Sequence, residues 1–130
     1  MKLIFFAPLL DEGDRQINSL IDKFTAVRDL EIYRNFDSLS DRLRQPQTNN
    51  TVAVVFAISR ETLLDVISIR ELLANIRIIL VLPDRDNDTV AKGHMLRPRF
   101  VTYADMDLGE ISAVIDKMIG SISNDKPKAV

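Results

Sequence analysis

The chain has no cysteine and a single histidine, His94. Disulfides, thiolate catalysis and Cys-ligated metals are therefore excluded, and one imidazole leaves little for a His-based metal site. An excess of either charge is also missing, because 17 Lys and Arg stand against 19 Asp and Glu for a net charge of -2. No overall field gathers polyanions, so nucleic acid is not an expected partner. Long apolar runs are absent as well. The stretch Leu3 to Ala7 follows one Lys and is interrupted by Pro8 and Asp11, too short for a signal peptide or a membrane span. A cytoplasmic protein with no membrane contact is expected. Glycine is scarce, and APLLDEGDRQ, after the first apolar run, contains only Gly13. A phosphate cradle needs successive backbone N–H groups freed by glycine, which disfavours an FMN site. No cofactor is expected.

What is present is a cadence. Four short apolar runs read as buried strands: Leu3 to Ala7, Val52 to Ile58, Ile76 to Leu82 and the weaker Phe100 to Tyr103. A fifth, Leu30 to Phe36, alternates like an edge strand. Their starts at residues 3, 30, 52, 76 and 100 lie 22 to 27 residues apart, the spacing of repeated βα units. Between them, Ile17, Leu20, Ile21, Phe24 and Val27 fall on one helical face, with Asp11, Asp14 or both as caps. A short helix is expected over Ser38 to Gln45, followed by a surface turn from Pro46 to Asn50. In the last helix Asp107 and Glu110 have capping-box spacing ahead of the stripe Leu108, Ile111, Val114, Ile115, Met118 and Ile119. The pattern predicts one open, doubly wound α/β domain over residues 1–120, built on a five-stranded parallel sheet, with a flexible tail over 121–130.

That layout resembles the receiver domain of bacterial response regulators over nearly the whole chain, most closely in LRPRFVTYADMDLGEISAVIDKMI, from Leu96 to Ile119. The resemblance implies strand order 2-1-3-4-5. It also implies chemistry that the residues do not supply. Receivers place an acidic pair after strand one for Mg²⁺, a phospho-accepting Asp at the end of strand three, a Thr or Ser after strand four and a Lys after strand five. Here those places hold Phe6, Ala7 and Pro8; Val55, Phe56 and Ala57; Leu82 and Pro83; and Thr102, Tyr103 and Ala104. The expectation is a pseudo-receiver without the aspartyl-phosphate cycle, hence no enzyme.

Other candidates are weighed against plainer roles. Asp11, Glu12 and Asp14 read as loop acids and helix caps rather than metal ligands. The Asp84, Asp86, Asp88 series imitates a calcium loop, but Thr89 and Met95 stand where that loop needs Gly and Glu, leaving a flexible acidic loop. His94 is placed in a surface loop or at a helix end. Arg60, Arg85, Arg97 and Arg99 form a candidate anion site over the strand ends, the basis of an alternative function as a sensor of a small anionic ligand or nucleotide.

The segment Arg60 to Ala74 is apolar nearly all round. If Leu63, Val66, Ile67 and Leu73 pack on the sheet, then Leu64, Ile69 and Leu72 are left over at 100° per residue. Either another part of the chain covers them, or they form a contact surface. The second reading predicts a homodimer, the commonest assembly, and a regulatory or signalling role through protein–protein contact.

Overall fold

The structure, a computed structural model, describes residues 2–8, 19–24, 30–46, 51–57, 59–103 and 108–124. Five strands, β1 (Lys2–Phe6), β2 (Leu30–Tyr33), β3 (Thr51–Phe56), β4 (Arg77–Leu82) and β5 (Phe100–Tyr103), form one sheet in the order β2-β1-β3-β4-β5. Every neighbouring pair is parallel, as in Phe5 beside Ile32 and Val54, or Val81 beside Thr102. The fold class and strand order expected from the sequence are those observed.

Strand burial explains why the apolar runs were legible. All six residues of β3 are buried, and β1 and β4 are buried beyond their first residues, because helices cover both faces. On one face, Ile4, Phe6, Ala53, Val55, Ile78 and Leu80 meet the helices Phe36–Leu43 and Arg60–Ser68. On the other, Leu3, Phe5, Val52, Val54, Ile79 and Val81 meet Leu20, Ile21 and Phe24 of the helical segment 19–22 and its turn, together with Ile111 and Ile115 of the helix Leu108–Asn124. Edge strand β2 is only partly buried, in keeping with its alternation.

Local capping fixes where helices begin. The Asn35 side chain accepts a hydrogen bond of 2.8 Å from the Ser38 N–H, and Ser59 accepts one of 3.1 Å from the Thr62 N–H. The Asn35 cap starts the second helix at Phe36 rather than Ser38, the Ser59 cap starts the next at Arg60, and β2 ends at Tyr33. The C-terminal helix runs through Asn124, so the first four residues assigned to a flexible tail are helical. Residues 125–130 lie outside the described residues, as do Asp11, Gly13, Asp107 and the 47–50 part of the turn.

The largest departure concerns the segment Arg60 to Ala74. Its α-helix ends at Ser68, and a 3₁₀ turn covers Arg70–Leu73. The change of pitch breaks the 100° phase assumed across the whole segment. Ile69 is turned inward to 8% exposure, and Leu72 packs against the same core. Of the three residues expected on a contact surface, only Leu64 is exposed, at 47%.

A polar cluster ties the β2 edge to the body of the domain. Glu31 accepts from Arg42 Nε at 2.7 Å and from Tyr33 Oη at 2.5 Å, and pairs with Lys2 Nζ at 2.8 Å. Partial burial pushes the Glu31 carboxyl upward, but the bonds from Arg42, Lys2 and Tyr33 outweigh it and hold the pKa at about 2. Burial and the Glu31 carboxylate together push the Tyr33 hydroxyl up to about 12.

A carboxyl whose folded pKa is lowered stabilises the fold above its unfolded pKa, and that contribution is lost as pH falls towards the folded value. The Glu31 side chain is 26% exposed, and screening reduces its contribution to about 1–2 kcal/mol near neutral pH. Glu31→Gln should therefore lower the urea midpoint at pH 7, and the gap from wild type should narrow below about pH 4.5. An equal gap at pH 7 and pH 3 would contradict this role for Glu31.

Candidate functional site

In an open parallel sheet the crevice lies beyond the carboxyl ends of the strands, where chain direction splits between the two faces. Among the described residues, β1 ends there in Phe6, Ala7 and Pro8, β3 in Phe56 and Ala57, β4 in Leu82 and Pro83, and β5 in Tyr103. The backbone at these ends is already engaged. The Ala7 N–H donates to Tyr33 O and the Ala57 N–H to Val81 O, each at 2.9 Å, and Arg34 Nη1 donates to Ala7 O at 3.2 Å. Phe6, Ala7, Phe56, Ala57 and Leu82 are all buried. Among the described residues, the floor of the crevice is apolar.

Charge gathers instead on the loops after β3 and β4. Arg60, at the start of its helix, pairs with Asp86 and lies 3.7 Å from Asp84. The Asp86 N–H donates to Asp84 Oδ1 at 3.0 Å. The Asp84 carboxyl is held below its ordinary pKa, most by the neighbouring Thr89 hydroxyl, then by the Asp86 N–H and by Arg60. Lys92, 2.8 Å from Asp88, lowers the Asp88 pKa in the same direction. The Arg85 guanidinium lies 4.4 Å from the centre of the Tyr103 ring, a cation–π contact across the mouth of the crevice.

These contacts revise two expectations. The acidic series is no flexible loop: Asp84 and Asp86 are held by Arg60, and Asp88 lies in the first turn of a helix, Asn87–His94. That helix ends at His94, which is exposed. The four arginines also do not share a site. Arg60 and Arg85 follow β3 and β4 at the carboxyl end, while Arg97 and Arg99 precede β5 at the amino end. The six residues of β4 separate the two ends by roughly 17–20 Å. Among the described residues, Arg60 lies on Asp84 and Asp86 and Arg85 on Tyr103, so these two do not converge on an anion.

The Asn87–His94 helix had no clear signal because its inward face is small. Thr89 and Gly93 are its buried residues, and a Cβ at Gly93 would lie 3.0 Å from Leu82 Cδ2 and 3.1 Å from Leu80 Cδ2. The helix sits close to β4, without a stripe of large side chains. The Arg85–Tyr103 contact had no sequence signal either, since its partners lie 18 residues apart, one in the loop after β4 and the other at the end of β5.

Among the described residues no group of three or more His, Cys, Asp or Glu could hold a metal ion, and no helix is long and apolar enough to cross a membrane. Asp11, Glu12 and Asp14 lie outside those residues. Set beside known proteins, the chain matches no protein-family model and no curated protein.

Proposed function

We propose that this chain is a non-enzymatic regulatory or signalling protein of the cytoplasm that works by protein contact on a receiver-like fold without aspartyl phosphorylation. The observation that carries the reading is the replacement of acceptor chemistry at the end of β3 by Val55, Phe56 and Ala57, all buried. Phosphoryl transfer depends on positioning and charge neutralisation, and an apolar floor supplies neither. Exposed Leu64 is the residue of the expected contact surface that remains open to a partner, including a second copy of the chain.

The test is thermal melting with Mg²⁺, beryllofluoride and a panel of nucleotides, since a ligand that binds only the folded state raises the midpoint. The proposal expects no shift from any of them. A rise with Mg²⁺ and beryllofluoride together would restore the phosphorylation reading, and a rise with a nucleotide would favour a sensor. Sedimentation of wild type and Leu64→Glu separates homodimer from monomer, with dissociation of a dimer expected if the second copy rests on Leu64.

A further inference from the structure

At the amino end of the sheet, opposite the crevice, a cavity of about 250 Å³ opens between the 3₁₀ turn Arg70–Leu73 and the end of the Asn87–His94 helix. Its apolar lining includes Leu73, Ile76 and Leu96, all part of the core. Its charged lining is Arg70, Glu71 and Arg97, and none of these three side chains has an ion pair or hydrogen bond among the described residues. All three are exposed to solvent at the rim, above the buried floor of Leu73, Ile76 and Leu96.

The backbone adds a second, independent observation. Arg97 has φ 51°, the one positive φ at a non-glycine residue among those described. The turn that imposes it is fixed by bonds from the Leu96 N–H to Gly93 O and from the Arg97 N–H to His94 O, and it is a position that glycine usually takes after a helix. This arginine lines the cavity at its exposed rim, and backbone strain of this kind gathers at binding sites.

We propose that this cavity binds a free α-amino acid with an aliphatic side chain. Arg70 and Arg97 receive the carboxylate, whose planar pair of oxygens suits guanidinium donors. Glu71 receives the ammonium group, and Leu73, Ile76 and Leu96 receive the side chain. The chemistry selects this class over its neighbours. Phosphate would face Glu71 and leave the apolar floor unused, while a fatty acid would leave Glu71 without a counter-charge. Size agrees as well: at a water's share of about 30 Å³, the cavity equals about eight waters, room for a molecule of roughly that many non-hydrogen atoms.

The test uses the full chain and titration calorimetry with L-leucine, 4-methylpentanoate, which lacks the ammonium group, and 3-methylbutylamine, which lacks the carboxylate. L-Leucine is expected to bind and to raise the melting midpoint, with each analogue at least tenfold weaker. Arg97→Gly, which relieves the positive φ, is expected to melt no lower than wild type yet bind L-leucine at least tenfold more weakly, and Glu71→Gln to lose the preference for L-leucine over 4-methylpentanoate. No heat and no shift at millimolar L-leucine would overturn the assignment. So would 4-methylpentanoate binding as tightly as L-leucine, or undiminished binding by a folded Arg97→Gly protein.

Discussion

Phe5→Ala is expected to cost about 3–5 kcal/mol of stability, within the range for deleting a fully buried aromatic ring. Phe5 has no exposed surface and lies in β1, the strand that pairs with both β2 and β3. Its ring packs 6.2 Å from that of Phe24, tilted by 43°, and so joins the sheet to the helical segment before it. Removing the ring loses both the transfer of the side chain out of water and the contacts around it, because neighbours fixed in β3 cannot collapse into the space. A domain of this size has a total stability of about 5–15 kcal/mol, so the variant should lose a large share of it. Ile32→Ala on β2, at 41% exposure, is the control and should cost well under half as much. Urea unfolding measures both, and equal losses would show that β1 does not form the buried centre of the sheet.

Gly93→Val should destabilise by about 1–3 kcal/mol, the usual cost of overpacking a close contact. The first added carbon alone meets Leu82 Cδ2 at 3.0 Å and Leu80 Cδ2 at 3.1 Å, and both leucines are fully buried within the sheet. Gaining a β-carbon in a helix is otherwise favourable by several tenths of a kcal/mol or more relative to glycine, so the sign of the result distinguishes packing from propensity. A double-mutant cycle isolates the contact. Leu82→Ala should be costly alone, and Gly93→Val combined with it should cost less than the sum of the two. Strict additivity would place the helix farther from β4.

The strands were legible because burial on both faces demands continuous apolar runs, and β3 and β4 consist of little else. The C-terminal helix was legible for the opposite reason, since Ile111 and Ile115 face the sheet while Glu110 and Asp116 face water. Two features were not. The Asn87–His94 helix presents Thr89 and Gly93 to β4, and close approach through small residues leaves no hydrophobic period to read. A single helical phase extended across this segment places Ile69 on the surface, but the backbone changes pitch there, and the C-cap at Ile69, with φ -112°, carries no glycine or proline to announce it. Charge alone groups the four arginines. Loop connectivity divides them, since a loop that follows a parallel strand and one that precedes it lie at opposite ends of the sheet.

The same reasoning bears on function. The positions that matter for aspartyl phosphorylation lie at the carboxyl ends of strands, and their identity could be read once strand ends were located within a residue or two. Val55, Phe56 and Ala57 are apolar in any register that keeps β3 buried, so a small error in the boundary leaves the conclusion unchanged. A contact surface is harder to read because it depends on which apolar residues remain uncovered after folding. Leu64 and Ile69 are equally apolar in sequence, and only the helix end separates them.

Mass spectrometry of the intact chain after incubation with acetyl phosphate and Mg²⁺ tests the central claim most directly. An unmodified mass is expected, because the floor formed by Phe6, Ala7, Phe56 and Ala57 has no carboxylate to accept the group. The added mass of one phosphoryl group, mapped to an aspartate in the strand-end crevice, would contradict it.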